Sequence, residues 1–348
     1  MKVTRNRDLN SARDAKKDEF YTQLSDIEKE LRHYKQHFAG KVVYCNCDDP
    51  RVSNFFTYFS YNFEKLRLKK LITTCYKSKE MDLFSANKSE QAVYLEYEGD
   101  KNVNRIPDLS EIEVKPLSGD GDFRSDESIA LLKQADIVVT NPPFSLFREY
   151  IAQLVEHQKK FVIIGNMNAA TYKEVFKLIK ANQVWFGPSI KSGDREFGVP
   201  DSYPLNAAGT RVDEQGKKYI RVKGVRWFTN LDFKERHEEL ILYKKYTPEE
   251  YPTYDNYSAI EVGKTSEIPA DYFGAMGVPI TFLDKYNPEQ FEILGITDRD
   301  NNSGLKIKEY TEADAKNHSD LNRRGAIREG NEYKSTYARL LVQRRKRG

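Results

Sequence analysis

Cysteine is nearly missing. The 348 residues hold three, Cys45, Cys47 and Cys75, too few for a disulfide framework. Cys45-Asn46-Cys47 has no second ligand pair nearby, so zinc is not expected, and the thiols read as reduced, in a cytoplasm. Histidine is sparse too: there are five, of which only His33 and His37 stand in a ligand spacing, His-x-x-x-His, and no metal site is expected. No apolar run approaches the length that spans a bilayer. Met1 is followed by charged and polar residues rather than by a signal-peptide core, so neither a membrane protein nor a secreted one is expected. Net charge is almost absent: 56 Lys and Arg against 53 Asp and Glu leave +3, a balance that does not by itself mark a nucleic-acid binder.

What is present is enough chain for two domains and 12% aromatic residues, which suits a large core or base stacking. Residues 1–19 are polar and charged. A helix is expected over 25–37, with Ser25 as its cap and Gly40 as its end. Residues 41–46 read as the first buried strand and Asp48-Asp49-Pro50-Arg51 as its turn. From Ser53 a helix follows with Phe55, Phe56, Phe59 and Phe63 on its inner face. Strands are expected at 68–75, 137–140, 160–166, from Val184, and over 219–229, with 91–97 and 112–115 as a hairpin insertion. Helices at 125–133, 145–156 and 172–181 alternate with them. That alternation argues an α/β fold, one sheet with helices on both faces. From Gly187 the pattern breaks, with a hairpin tip at 214–217, and beyond Tyr246 Pro- and Tyr-rich segments show no clean period. Residues 1–245 are read as one domain and 246–348 as a second, irregular one. The last 49 residues hold 12 Lys and Arg against 7 Asp and Glu and run through Arg344-Arg345-Lys346-Arg347. That stretch either touches phosphate or is a solvated terminus.

Residues 136–144, Asp-Ile-Val-Val-Thr-Asn-Pro-Pro-Phe, say the most. Ile137, Val138 and Val139 make a buried strand, and Pro142 and Pro143 end it because they cannot donate to a sheet ladder. Asn141, held extended by the proline after it, lies at the carboxyl end of a strand, where open α/β sheets bind ligands. The loop offers a side-chain amide, backbone carbonyls without competing N–H groups, and the ring of Phe144. This set suits a planar group with an exocyclic amine: the Asn141 amide oxygen and the Pro142 carbonyl each accept one amine hydrogen, and Phe144 stacks on the ring.

Asn141-Pro142-Pro143-Phe144 resembles the catalytic tetrapeptide of S-adenosylmethionine-dependent amino methyltransferases, which methylate the exocyclic nitrogen of adenine. Asp18-Glu19-Phe20-Tyr21-Thr22, Cys45-Asn46-Cys47-Asp48-Asp49-Pro50 and Gly121-Asp122-Phe123 precede it in order. With 277–288, Gly-Val-Pro-Ile-Thr-Phe-Leu-Asp-Lys-Tyr-Asn-Pro, they make most of the chain similar to the EcoRI methylase family of DNA adenine methyltransferases. The likeness implies a Rossmann-like class I methyltransferase sheet in 1–245 and a DNA target-recognition region in 246–348. It implies S-adenosylmethionine as cofactor. The backbone around Phe20, Tyr21 and Thr22 would hold its carboxylate, with Asn46 in the turn after the first strand. Asp48 or Asp49 would pair with its ammonium or cap the next helix. Asp122 would accept from its adenine amine, and Phe123 would line the adenine pocket, in a turn after the third strand.

The expected chemistry is direct transfer to a flipped-out adenine, with Phe144 stacked on the base and no covalent enzyme intermediate. Double-stranded DNA is the expected partner, in restriction–modification or for a stand-alone, phage-type methylase, acting as a monomer in the cytoplasm. Arg323, Arg324, Arg344, Arg345, Lys346 and Arg347 are the candidate DNA contacts. Asn287, Asn301, Asn302 and Asn322, with Arg323 and Arg324, are the candidates for reaching base edges. Two features depart from the family pattern. The Phe-x-Gly-x-Gly run is absent, and Thr74, Cys75 and Tyr76 stand where an acidic residue usually ends the second strand, so the ribose partner stays unnamed. An RNA-adenine methyltransferase, a protein-glutamine methyltransferase, and a nucleic-acid-binding module on an inactive methyltransferase fold remain as alternatives.

Overall fold

Short runs that are apolar at nearly every position cannot keep one face in water, so they fill the middle of a sheet covered on both sides. β1 (Val42–Cys45) is such a run, buried throughout. β2 (Lys70–Thr74), β3 (Val93–Tyr97), β4 (Ile112–Pro116), β5 (Ile137–Thr140) and β6 (Lys160–Asn166) follow. β7 (Trp185–Phe186) is a two-residue strand. The chain continues through β8 (Asp194–Val199), β9 (Thr210–Val212), β10 (Lys218–Lys223) and β11 (Val225–Thr229). A computed structural model describes residues 20–47, 53–74, 92–104, 107–108, 110–191, 193–201, 203, 205, 209–298 and 301–346. The expectations for 1–19, Asp48, Asp49, Pro50, Arg51, Cys75, Tyr76 and Arg347 fall outside these residues. Two units divide the chain: the first takes residues through Ala169 together with Gly187–Asp232, the second Ala170–Phe186 and Phe233 onward. The boundary is thus at Asp232 rather than at residue 245, and the expected helix and strand of 172–186 belong to the later unit.

In the first unit the strands lie in the order β4-β3-β2-β1-β5-β6-β11. β2, β1, β5 and β6 are parallel, and β11 returns antiparallel beside β6. The insertion expected as a hairpin is one: β3 pairs antiparallel with β2, and β4 antiparallel with β3. β4 therefore points the same way as the parallel core, and its carboxyl end opens on the same sheet edge. The Gly-Asp-Phe turn consequently follows the fourth strand, not the third.

The helices of this unit are α1 (Leu24–Leu31), α2 (Asn54–Tyr61), α3 (Phe63–Leu66), α4 (Asp126–Gln134) and α5 (Phe147–Glu156). Ser53 caps α2, its oxygen accepting from Phe55 N and Phe56 N at 3.2 Å, and Ser125 caps α4 by accepting from Ser128 N at 3.2 Å. Each such cap is worth about 1 kcal/mol. Ser25 caps nothing: α1 starts at Leu24 behind Gln23 and stops at Leu31, with a separate 3-10 turn at Lys35–His37. The break lets Tyr34 bury its ring and donate its hydroxyl to Glu30 at 2.7 Å. The strand expected over 219–229 is two strands, because Gly224 takes a φ of +69° and sends β10 and β11 into different sheets. β10 joins β8 and β9 in a three-stranded antiparallel sheet.

The second unit is more regular than its sequence implied. α6 (Lys173–Lys180), β12 (Ile260–Glu261), β13 (Met276–Pro279), β14 (Phe291–Ile296), the hairpin β15 (Ala326–Glu329)–β16 (Glu332–Ser335), α7 (His318–Leu321) and β17 (Arg339–Arg344) belong to it. β12, β13, β17 and β14 form one sheet in that order. Gly277 of the 277–288 motif sits where the Tyr254 ring crosses β13, and any side chain there would collide with it. Segment 170–186 is tied in by the Arg236 guanidinium, 3.7 Å over the Trp185 ring and donating to Asn182 Oδ1, and by Lys180, which donates to Ser303 Oγ at 2.6 Å. No helix among the described residues is long and apolar enough to cross a membrane.

Candidate active site

The strand order runs backward from β1 through β2 and forward from β5 through β6, so the β1–β5 seam is the switch point at which such sheets open a ligand crevice. Both strand ends are joined there, Thr140 Oγ1 donating to the Asn46 carbonyl. The next residue is Asn141, 6% exposed. Its Nδ2 donates to the Phe20 carbonyl at 2.7 Å, which fixes the plane and sense of the amide. Its Oδ1 is buried and accepts no hydrogen bond among the described residues. An unpaired buried acceptor costs about 1–3 kcal/mol, and in a native fold it calls for a reason. Pro142 is buried, and Pro143, at φ −53° and ψ 126°, leads into the 3-10 turn Phe144–Leu146 that opens α5. Gly165 on β6 lies under the Phe147 ring, where a Cβ would collide, so the start of α5 sits close on the sheet. Phe144 is half-buried, in T-shaped contact with Phe20 (5.7 Å between centroids) and Phe197 (6.4 Å).

The turn after β1 is held by a residue that sequence reasoning passed over. Tyr150, on the buried stripe of α5 with Phe147, Ile151 and Leu154, donates its hydroxyl to Asn46 Oδ1. Burial pushes its phenol well above the ordinary range, so it stays a donor. The same ring meets Phe123 in a T-shaped contact at 5.0 Å, and Gln153 Nε2 donates to the Phe123 carbonyl at 3.0 Å. One helix thus gathers the tetrapeptide, Asn46 and Phe123. The spacing 147, 150, 151, 154 is the available signal. In place of the missing glycines, Cys47 itself takes a left-handed φ of 67°.

Asp122 stands apart from this grouping. Its carboxylate accepts from Arg124 Nε (2.9 Å), Nη2 (2.7 Å) and backbone N (2.9 Å). The Arg124 guanidinium holds its carboxyl below the usual carboxylate range. Phe20 is buried, Tyr21 exchanges backbone hydrogen bonds with Gly198 at 2.8 and 2.9 Å, and the buried Thr22 Oγ1 has no partner among the described residues.

A family model described as adenine-specific methyltransferase EcoRI matches residues 8–345. The chain belongs to that family. It is 52% identical over 301 residues, 85% of this chain and 92% of the relative, to the Type II methyltransferase M.EcoRI of Escherichia coli. It is 40% identical to the Type II methyltransferase M.MgeORF184P of Mycoplasma genitalium, over 82% of this chain and 85% of that one. The Type II methyltransferase M.MpnI of Mycoplasma pneumoniae is also 40% identical, over 82% and 84%.

In this family member most of the side chains proposed to read bases are used up inside the second unit. Asn287 donates to the His237 and Glu238 carbonyls at 3.0 and 3.2 Å. Asn322 exchanges hydrogen bonds with the Tyr310 backbone at 2.8 Å. Asn301 donates to Asp298 Oδ2 at 3.1 Å, and Asn302 to the Asp298 carbonyl at 3.0 Å. Nor is Arg344 part of a solvated terminus. Arg344 ends β17, lies 4.7 Å over the Phe273 ring and donates to the Ala270 carbonyl. Arg345 donates to the Pro288 carbonyl at 2.8 Å and pairs with Glu292 at 3.7 Å. The described Lys346 is exposed, Arg323 is exposed and Arg324 half-buried, which leaves these three as cations open to a partner.

Proposed function

We propose that the protein is a site-specific DNA adenine methyltransferase of the restriction–modification type, using S-adenosylmethionine to methylate the exocyclic N6 amine of a flipped-out adenine. The observation that carries this reading is the Asn141 amide, its nitrogen locked to the Phe20 carbonyl and its buried oxygen left without a donor among the described residues. The names of the relatives, all Type II methyltransferases, support the substrate class.

The residues at the switch point fit the cofactor. The backbone at Phe20–Thr22, with the Thr22 hydroxyl that has no partner among the described residues, would take its amino-acid end, Asn46 would border it, and Phe123 and Asp122 would bound its adenine. When bound, it supplies a methyl group activated on a sulfonium. The chain's own part is to make a poor nucleophile competent. The adenine amine lone pair is delocalised into the ring; Asn141 Oδ1 and the Pro142 carbonyl accept its two hydrogens, turn the nitrogen toward tetrahedral geometry and stabilise the positive charge that builds there. Phe144 offers a face for the extruded base, and the diproline keeps the loop rigid so that little reorganisation is needed in the transition state.

The test is incubation of the purified protein with methyl-labelled S-adenosylmethionine and DNA, RNA or protein, followed by digestion and mass spectrometry. Label in N6-methyladenine of DNA at one recurring sequence is expected. Label confined to RNA or to glutamine, or no label with intact cofactor binding, overturns the reading.

A further inference from the structure

The sequence left 188–220 without a role. In the structure this stretch carries most of the β8–β9–β10 sheet, and β8 lies against the segment that orients the catalytic amide. Tyr21 and Gly198 form an isolated antiparallel bridge, Tyr21 N donating to the Gly198 carbonyl at 2.8 Å and Gly198 N to the Tyr21 carbonyl at 2.9 Å. Because both backbone groups of Gly198 face Tyr21, this bridge is an extra edge added to β8 on the side away from β10. The residue before it, Phe197, is 2% exposed and sits 5.8 Å from the Phe20 ring and 6.4 Å from the Phe144 ring. Phe20 is thus clamped on two sides: its successor by the bridge, its ring by Phe197. Its carbonyl is the one that holds Asn141 Nδ2.

We infer that the β8–β10 sheet is the positioning element of the transfer reaction, with Phe197 setting, through Phe20, the orientation of the Asn141 amide and, by direct contact, the tilt of Phe144. The inference rests on the reading of Asn141 given above. Its logic is steric. A side-chain amide is symmetric in shape, so packing alone does not choose which end faces the substrate. The single hydrogen bond to the Phe20 carbonyl makes that choice, and it holds only while the Phe20 backbone is immobile. A displacement of about 1 Å at a reacting group can cost on the order of 100-fold in rate. Phe197 touches neither reacting atom in this scheme; it acts through Asn141, which meets the amine, and Phe144, which stacks on the base.

The experiment uses full-length protein labelled with 15N-asparagine. The Asn141 side-chain amide signals are assigned by their loss in Asn141→Ala. In Phe197→Ala we expect those signals to move toward the exposed-amide position and to exchange with solvent faster. We expect kcat to fall about tenfold or more, and cofactor affinity by calorimetry to fall by a smaller factor, since the Phe20–Thr22 backbone borders the cofactor as well. Phe197→Leu, which keeps apolar bulk without the ring contacts, should recover part of both. Unchanged Asn141 signals with unchanged kcat in a folded Phe197→Ala protein would overturn the inference. If Phe197→Ala does not fold, Phe197→Leu carries the test alone, and parent-like signals and kcat in that variant overturn it equally. The amide readout needs no substrate, so it fails separately from the proposed activity: an inactive parent with a correctly coupled amide refutes the activity, not the clamp.

Discussion

At the scale of single residues, Asn141 separates binding from chemistry. Asn141→Ala removes the amine acceptor and leaves the cofactor-facing groups in place, so methyl transfer should fall on the order of 100-fold or more while calorimetric cofactor affinity stays near the parent value. Parent-like turnover would refute the assigned role. Asp122 poses the opposite case. One charge-assisted hydrogen bond is worth about 1.5–3 kcal/mol, so Asp122→Ala should weaken cofactor binding roughly ten- to a hundredfold. Arg124 keeps that carboxyl ionised below the ordinary range. Its folded pKa is depressed, so its contribution is fully present above the unfolded value of about 3.9 and is lost only as pH falls through the lower folded one. The affinity ratio of parent to variant should therefore stay high and flat from pH 7 to 5; a ratio near one would show that the carboxylate does not face the ligand, and one that shrinks across that window would show that Arg124 does not hold it below the ordinary range. Phe144→Ala should reduce extrusion more than chemistry, since base stacking on an aromatic ring is worth about 1–3 kcal/mol. Lower 2-aminopurine fluorescence at the target position, relative to the parent on the same duplex, is the expected signal.

Elements were legible where local chemistry and burial agree. The continuous apolar runs of β1, β5 and β6, the helix starts at Ser53 and Ser125, and the diproline stop after β5 each have a cause within a few residues, and each is where the sequence indicates. The errors have a shared origin in long-range partners. Tyr34 breaks the first helix because Glu30 and a buried ring site claim it. Gly224 splits an apparently single strand because its two halves pair with strands far apart in sequence. The basic end of the chain reads as touching phosphate or solvated, yet 339–344 is the inner strand of a sheet, between β13 and β14. The candidate site was legible at Asn141 and Phe144, whose residue types state their chemistry. It was illegible at Tyr150 and Phe197, whose roles exist only through contacts with other segments. Arg344→Ala follows from this. Losing the Phe273 face and the bond to Ala270 should cost about 1–2 kcal/mol, a drop in Tm of a few degrees by calorimetry, while the salt dependence of DNA binding stays as in the parent. A flattened salt slope without a loss of Tm would return Arg344 to the phosphate-contacting set.

For the whole molecule, the proposed recognition role of the second unit now rests on few side chains. Arg323→Ala combined with Arg324→Ala should weaken duplex binding alike for all sequences and reduce the slope of log affinity against log salt by roughly two. Sequencing of methylated sites from cells expressing the variant separates this from base reading: an altered site pattern would make these arginines sequence readers instead. The path of the chain has a consequence of its own. It leaves the first unit after Ala169, builds α6 and β7 of the second unit, returns at Gly187, and departs again after Asp232. A gene exchange with one breakpoint near Asp232 would therefore graft a foreign later portion onto a native 170–186, and the Arg236–Trp185 and Lys180–Ser303 contacts would have to form between two lineages. Relatives that trade target specificity by recombination need three joined breakpoints, or a conserved 170–186 that fits every later portion. Descent by gradual substitution is the easier route for such an interleaved chain.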